Sequence, residues 1–217
     1  MIAKGLPFAD TINFPKKDFG KLMVSLYGKP LPKESKMKEI SMHILDIVMN
    51  SIKAKAKLIE LYIDDSIKSN MLKIVIKDDG TGMTEDMSRQ VTDPFYTTRT
   101  TRKVGLGLPM LKESCERCNG YLKIGSELGK GTIVSCCFER DNIDRMPLGN
   151  MGDTIMTIIN SLENCEFLYN HITDIGNFEI STSYMKKMLE TEDIRDSETL
   201  LWVRDYVNEN LKNISNF

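Results

Sequence analysis

The chain has 217 residues, 41% of them hydrophobic, which is enough for one globular domain with additions. Lys and Arg total 29 against 31 for Asp and Glu, so a formal net charge of -2 provides no positive field to attract nucleic acid. No apolar run reaches the roughly 20 residues that span a bilayer, and the five cysteines suit reduced thiols. We therefore expect a cytoplasmic protein without a membrane segment.

The first half of the chain predicts an extension, a helix and two strands. Residues 1–36 contain many Pro and Gly residues and are interpreted as an irregular N-terminal extension. Between about 37 and 56, apolar residues recur at helical spacing, which predicts an amphipathic helix. Alternating apolar residues over 59–63 and 72–76 predict two strands, the second running into DDGTGM.

The second half predicts a further helix and sheet layer followed by a small unit. A turn-rich stretch leads to a helix at 109–118 and to strands at 121–126 and 131–138. Past Arg140 we predict a linker, a helix at 152–162, strands at 166–171 and 177–182, and a helix that begins near Asp196. These patterns predict a domain over 37–140 and a small α+β unit over 141–217.

Polar residues form a stripe along the first predicted helix. His43, Asp46, Asn50 and Lys53 are spaced by three, four and three residues, so they lie along one side of the helix. A surface helix without any binding function gives the same pattern. The stripe alone therefore does not distinguish such a helix from one that forms a wall of a binding site.

Glycine-rich loops follow the stripe at three places. Asp78 ends a predicted strand, and Gly80 and Gly82 after it allow the backbone to pass close to a ligand. GLGL at 105–108 precedes a helix, whose first amide groups can receive phosphate oxygens. GKGT then opens the last strand of the domain with Thr132.

Together these motifs resemble the GHKL superfamily of ATPases and kinases. HILDIVMNSIKAKA, DDGTGM, DPFYTTR, GLGL and GKGT occur in the order and near the spacing of the family's N, G1, F, G2 and final Gly-x-Gly-Thr boxes. The resemblance implies a Bergerat-type ATP-binding fold, an α/β fold built as a two-layer α+β sandwich with a mixed sheet. It also implies ATP and Mg²⁺ as ligands.

Roles in the family carry over to matching positions only. Asn50 resembles the asparagine that ligates Mg²⁺, and Asp78 resembles the carboxylate that accepts the adenine amino group, with Thr132 in support. The remaining positions that the resemblance places around the nucleotide are the glycines Gly80, Gly82, Gly105 and Gly107, the hinge residues Leu106 and Leu108, and the cations Lys53 and Arg99.

Two features point to different reactions. Asp46 stands where gyrase and mismatch-repair relatives carry a glutamate that activates water, so it either serves as the catalytic base or only orients the metal shell. FYTTRTTRKVGLGL resembles instead the lid of sensor kinases, which carry a phosphoacceptor histidine on a preceding helical hairpin. The chain's two histidines, His43 and His171, do not occupy such a position, and His171 is more typical of a structural residue.

Three functions stay open on these grounds. The first is a slow ATPase or ATP-gated switch that acts on a protein partner, the second is a stand-alone kinase of a separate protein, and the third is an ATP-binding module without turnover. The whole arrangement also resembles ATP-binding proteins encoded beside iron-only hydrogenases in anaerobic bacteria. The resemblances imply ATP or ADP as ligand and a protein partner connected with hydrogenases or with signalling.

Overall fold

The computed structural model describes residues 38–91 and 107–215, and every structural statement below refers to these residues. The chain divides into two units, Met1–Lys36 and Met37–Phe217, and all described residues belong to the second. The predicted extension at 1–36 lies outside the described residues.

The described residues form six helices and six strands. The helices are α1 (Ile40–Lys53), α2 (Glu85–Gln90), α3 (Gly107–Arg117), α4 (Met151–Ser161), α5 (Thr182–Met188) and α6 (Ser197–Ile214). The strands are β1 (Leu58–Ser66), β2 (Met71–Asp78), β3 (Tyr121–Glu127), β4 (Gly131–Glu139), β5 (Glu166–Thr173) and β6 (Asn177–Ser181).

The strands form one six-stranded mixed sheet in the order β3-β4-β2-β1-β5-β6. Neighbouring strands are antiparallel except β1 and β5, which run parallel. A parallel neighbour requires a crossover, and α4 lies in the connection that returns the chain to the side of β1.

One face of the sheet carries the core. Because side chains alternate between faces, the paired residues Leu61, Ile76 and Val134 lie on one side, and all three are buried. Helices α3, α1, α4 and α6 contact one another in that order and join the same hydrophobic cluster. The expected two-layer fold with a mixed sheet is confirmed.

The sheet continues across the predicted domain boundary near residue 140. Because β5 pairs with β1 along its whole length, residues 141–215 add strands and helices to the core of the preceding segment. The periodicity that predicted strands at 166–171 and 177–182 carries no information on their partners. Within the described residues, no helix combines the length and the apolarity needed to cross a membrane.

Candidate nucleotide-binding site

Helix α1 forms one wall of the candidate site. Its sheet-facing side is buried and mostly apolar, as at Ile44, Ile47 and Val48. The predicted polar stripe is graded: His43 is buried, Asp46 and Asn50 are half-buried, and Lys53 is exposed. A bland surface helix would expose all four, so the stripe lines an interior surface for most of its length.

Asp78 lies at the end of β2, under the last turns of α1. Its carboxylate is buried, at 8% exposure, and both oxygens have partners. Oδ1 accepts from the backbone N–H of Gly80 at 2.9 Å, and Oδ2 accepts from the hydroxyl of Ser51 at 2.7 Å. These donors orient the carboxylate, since charge-assisted bonds to a buried group are strong and directional. Oxygen lone pairs remain on it to receive a further donor.

The glycines of DDGTGM are required by close approaches. A Cβ at Gly80 would lie 2.9 Å from Cβ and O of Ala54, so this loop packs directly against the end of α1. Gly82 has φ +64°, and a Cβ there would lie 2.1 Å from the carbonyl oxygen of Glu127. Any other residue would push the loop away from α1 and from the β3–β4 turn.

Thr132 lies beside Asp78 on the neighbouring strand, β4, and faces the same side of the sheet. Its hydroxyl is 2.8 Å from the hydroxyl of Ser126, which itself lies 3.0 Å from the carbonyl of Gly131 and accepts from the N–H of Met83 at 2.9 Å. If Ser126 donates its single proton to Gly131, Thr132 donates to Ser126. The Thr132 oxygen then keeps lone pairs for a ligand or a bridging water.

The N-terminus of α3 meets α1 nearer the start of α1. A Cβ at Gly107 would lie 2.0 Å from Oδ2 of Asp46, so only glycine allows the two helices to approach this closely. His43 is bonded through Nδ1 to the carbonyl of Gly107 at 3.2 Å. A carbonyl only accepts, so Nδ1 carries the proton. Burial lowers the pKa of His43, against the opposing effects of the Gly107 carbonyl and the Asp46 carboxylate.

Helix α1 contacts Asp78 and Gly107 at different points along its axis. Ser51, which holds Asp78, and Asp46, which touches Gly107, are separated by about 8 Å along the axis at 1.5 Å per residue. Asn50 lies one turn after Asp46, between these levels. Such a site can hold a molecule that needs a carboxylate acceptor at one end and helix N-terminal amides at the other.

Most predicted site residues converge in this way. Asp46, Asp78, Gly80, Gly82, Gly107 and Thr132 border the region between α1, α3, the end of β2 and the start of β4, and Asn50 lies on α1 between Asp46 and Ser51. Leu108 packs against the hydrophobic core. Lys53 is exposed at the end of α1, and none of the described contacts ties it to the other site residues. Arg99, Gly105 and Leu106 lie outside the described residues.

Three polar residues of this region were not predicted as site residues. Ser51 and Ser126 hold Asp78 and Thr132, and His43 holds Gly107. For Ser51 a signal was present, because it is a polar residue in the buried row of α1. For Ser126 the signal is weaker, since it is a polar residue in the row of Leu122 and Ile124, and that row of β3 is only half-buried.

Residues 37–142 match the sequence model of the family described as "Histidine kinase-, DNA gyrase B-, and HSP90-like ATPase". This segment is a GHKL domain. The match begins just before α1 and ends after β4, so the GHKL domain contains every residue of the candidate site.

Two curated relatives each match less than half of this chain. Sporulation kinase C of Bacillus subtilis strain 168 is 33% identical over 100 residues, which are 46% of this chain and 22% of the relative. Sporulation kinase E of the same strain is 45% identical over 60 residues, 28% of this chain and 8% of the relative. The chain therefore corresponds to less than a quarter of the length of these relatives. Among solved structures, the N-terminal domain of a DNA repair protein superposes with a TM-score of 0.48 at 18% identity, covering 67% of this chain and 53% of that one.

Proposed function

We propose that the protein binds Mg-ATP and works as a slow ATPase or ATP-gated switch that acts on a protein partner. The observation that carries this proposal is the double contact of α1. Through Ser51 it holds the buried carboxylate of Asp78, and through Asp46 and His43 it meets the start of α3. These two regions suit the adenine and the phosphates of one nucleotide.

At the adenine end, Asp78 accepts the exocyclic amino group, and Thr132 assists directly or through a water. Support for this role comes from the buried, doubly held carboxylate, whose orientation is fixed before any ligand arrives. At the phosphate end, the N-terminal amides of α3 receive phosphate oxygens, and Lys53 and Arg99 supply positive charge.

Asn50 is proposed as the protein ligand of Mg²⁺. Its half-buried side chain offers an amide oxygen one turn from Asp46, and oxygen donors are what this hard cation binds. Within 38–91 and 107–215, no group of three or more His, Cys, Asp or Glu side chains could hold a metal ion. This fits an ion held by one or two side chains, with phosphates and waters as the remaining ligands. When bound, the ion would neutralise the developing phosphate charge.

Asp46 is proposed as the base that orients and deprotonates the attacking water. The carboxylate is half-buried and lies against Gly107, at the α3 terminus that would receive the phosphates. A carboxylate in hydrogen-bond reach of a water there could accept its proton as the water attacks the γ-phosphorus. The bond from that phosphorus to the bridging oxygen breaks, and ADP and phosphate leave.

A kinase is the second candidate function, and the naming of the similar Bacillus proteins as kinases favours it. In that case the attacking group would belong to a separate protein, and the chain alone would transfer nothing. A binding module without turnover is the third. We also propose a cytoplasmic location and a partner connected with hydrogenases or signalling, and the five buried free cysteines support a reducing compartment.

The test is incubation of the purified protein with γ-labelled ATP, followed by separation of free phosphate from labelled protein. We expect slow release of free phosphate, Mg²⁺-dependent stabilisation by ATP and ADP, and at least about 10²-fold slower release in Asp46→Asn with binding retained. Asp205→Asn removes a carboxylate that is 67% exposed on α6 and serves as the matched control. Release in Asp46→Asn equal to that of the parent would remove Asp46 from the mechanism, and absence of nucleotide stabilisation in the parent would overturn the whole proposal.

A further inference from the structure

A cavity lies at the other end of the sheet from Asp78. Asp78 pairs with Ile59 at the start of β1, whereas the cavity reaches Asp65 near its end, about 20 Å away at 3.3 Å per residue. The cavity has a volume of about 550 Å³ and lies between this end of the sheet, the start of α4 and the last turns of α6. That volume is within the usual range for small-molecule sites, roughly 300–1,000 Å³.

His171 contributes a buried imidazole to the cavity wall. The residue is 5% exposed, and its Nδ1 lies 2.7 Å from the hydroxyl of Tyr169, which is itself completely buried. Among the described residues, His171 is the only hydrogen-bond partner of that phenol. If the phenol did not donate, its proton would be left buried without an acceptor, so it donates to Nδ1. The proton of the neutral ring is therefore on Nε2.

The ring is neutral at ordinary pH. Burial lowers the pKa of His171 to about 4, although the nearby carboxylates of Asp65 and Asp64 oppose this shift. Nε2–H has no hydrogen-bond partner in the described part of the chain. Nε2 is also not fully buried. Among the described residues, Asn170 Oδ1 is the only side-chain polar atom that is fully buried and has no partner, so Nε2, which has no partner, must be accessible. Nε2–H is thus an unused donor that opens on the cavity.

Two further donors line the same cavity. The Oδ1 of Asn208 accepts from the N–H of Gly152 at 3.1 Å, which leaves its NH₂ group available. Lys212 is an exposed cation in the last turn of α6. The carboxylate of Asp65 also lines the cavity but is bonded to Arg140 at 2.5 Å, which offsets its charge. Donors of His171, Asn208 and Lys212 therefore line the cavity, and Lys212 is the cationic side chain among its lining residues.

We propose that this cavity binds a small organic monocarboxylate. Its carboxylate accepts hydrogen bonds from His171, Asn208 and Lys212, and its single negative charge matches that of the lysine. A phosphate dianion would leave the site with a net negative charge beside Asp65. The apolar body of the ligand lies against Met151 and Leu211 of the cavity wall.

The test uses the two histidines of the chain as reporters. Full-length protein with labelled histidine is titrated at pH 7, without nucleotide, with butanoate, butan-1-ol and butylammonium, which share one apolar body and differ in the head group. We expect the ring resonances of His171 to move saturably with butanoate alone, while those of His43 stay in place. Inorganic phosphate is titrated separately, and saturation by phosphate with none by butanoate would overturn the carboxylate assignment.

Lys212→Gln provides the decisive comparison, because this exposed side chain can be changed without disturbing the core. It should weaken butanoate binding about 10-fold or more, the usual effect of losing a charged hydrogen bond. Lys187→Gln removes another exposed lysine, which lies outside the cavity, and should leave the affinity unchanged. Melting temperatures of both variants check that they are folded. No saturation by butanoate, an equal response to butan-1-ol, or equal affinity in Lys212→Gln would each overturn the proposal.

Discussion

Replacing Asp78 by Asn tests the adenine end of the candidate site. The N–H of Gly80 requires an oxygen, so the amide oxygen should take the place of Oδ1 and the NH₂ group that of Oδ2. Ser51 can turn its proton fully to the carbonyl of Ile47, 3.4 Å away, and then accept from this NH₂ group. The fold should therefore tolerate the change. The ligand, however, would meet an amide donor where the adenine amino group also donates.

The expected loss follows from this geometry. A hydrogen bond to a charged group contributes about 1.5–3 kcal/mol, so its loss should make the dissociation constants for ATP and ADP roughly 10- to 100-fold larger. The new side-chain NH₂ group and the adenine amino group would both be donors, and their repulsion should increase this loss further. Calorimetric titration with ADP, together with the melting temperature at saturating ADP, measures both affinity and folding.

Asp79→Asn is the matched control, because Asp79 neighbours Asp78 but its carboxylate turns away from the site. Its Oδ1 accepts from the backbone N–H groups of Lys57 and Leu58 at 2.7 and 2.9 Å. Burial alone would raise the pKa of Asp79, but these bonds outweigh it and lower the pKa. Asp79→Asn should cost some stability and leave ADP affinity within about 2-fold, since no ligand contact changes. Equal ADP affinity in Asp78→Asn and the parent would refute the role given to Asp78.

Three other predictions test separate parts of the molecule. Asn50→Asp should change the Mg²⁺ dependence of ATP binding more than the affinity for metal-free nucleotide, and equal losses in both titrations would contradict its role. Gly107→Ala should weaken ATP binding at least about 10-fold, because the new Cβ would meet Asp46 Oδ2 at 2.0 Å, whereas Gly125→Ala, with nothing within 4 Å, should not. For His171, the unfolded chain takes up a proton near pH 6.5 and the folded chain only near 4. The free energy of unfolding should therefore fall by up to about 3 kcal/mol as the pH is lowered from 6.5 to 4. Denaturant titrations of His171→Gln should lack this component.

The elements that the sequence predicted well are those with a long, clear period. The predicted helix over 37–56 and the observed α1, Ile40–Lys53, share their apolar rows, and the predicted N-cap at Asp196 accepts from the N–H of Thr199 at 2.9 Å. The short helices α2 and α5 were not predicted, since six or seven residues hold too few turns for a pattern to emerge.

For the candidate site, too, the sequence predicted the features that depend on local patterns and missed those that depend on contacts between distant residues. Motifs with fixed spacing predict Asp78, Gly107 and Thr132 as candidate site residues. Two of the bonds that orient them join residues far apart in sequence, 27 positions for Ser51 and Asp78 and 64 for His43 and Gly107. Periodicity and spacing describe local structure, so contacts of this kind become visible only when the helices are packed on the sheet.

The parallel pairing of β1 with β5 has a consequence for the matched segment 37–142 when it is separated from the rest of the chain. Such a fragment would lose the partner of β1 and leave an unprotected strand edge of nine residues with free backbone donors and acceptors. It would also lose α4, which packs against α1, and would expose the row of β1 side chains from Ile59 to Ile63 that is now buried. We therefore expect residues 37–142 and the residues after them to unfold as one cooperative unit, and we expect the isolated fragment 37–142 to be prone to aggregation.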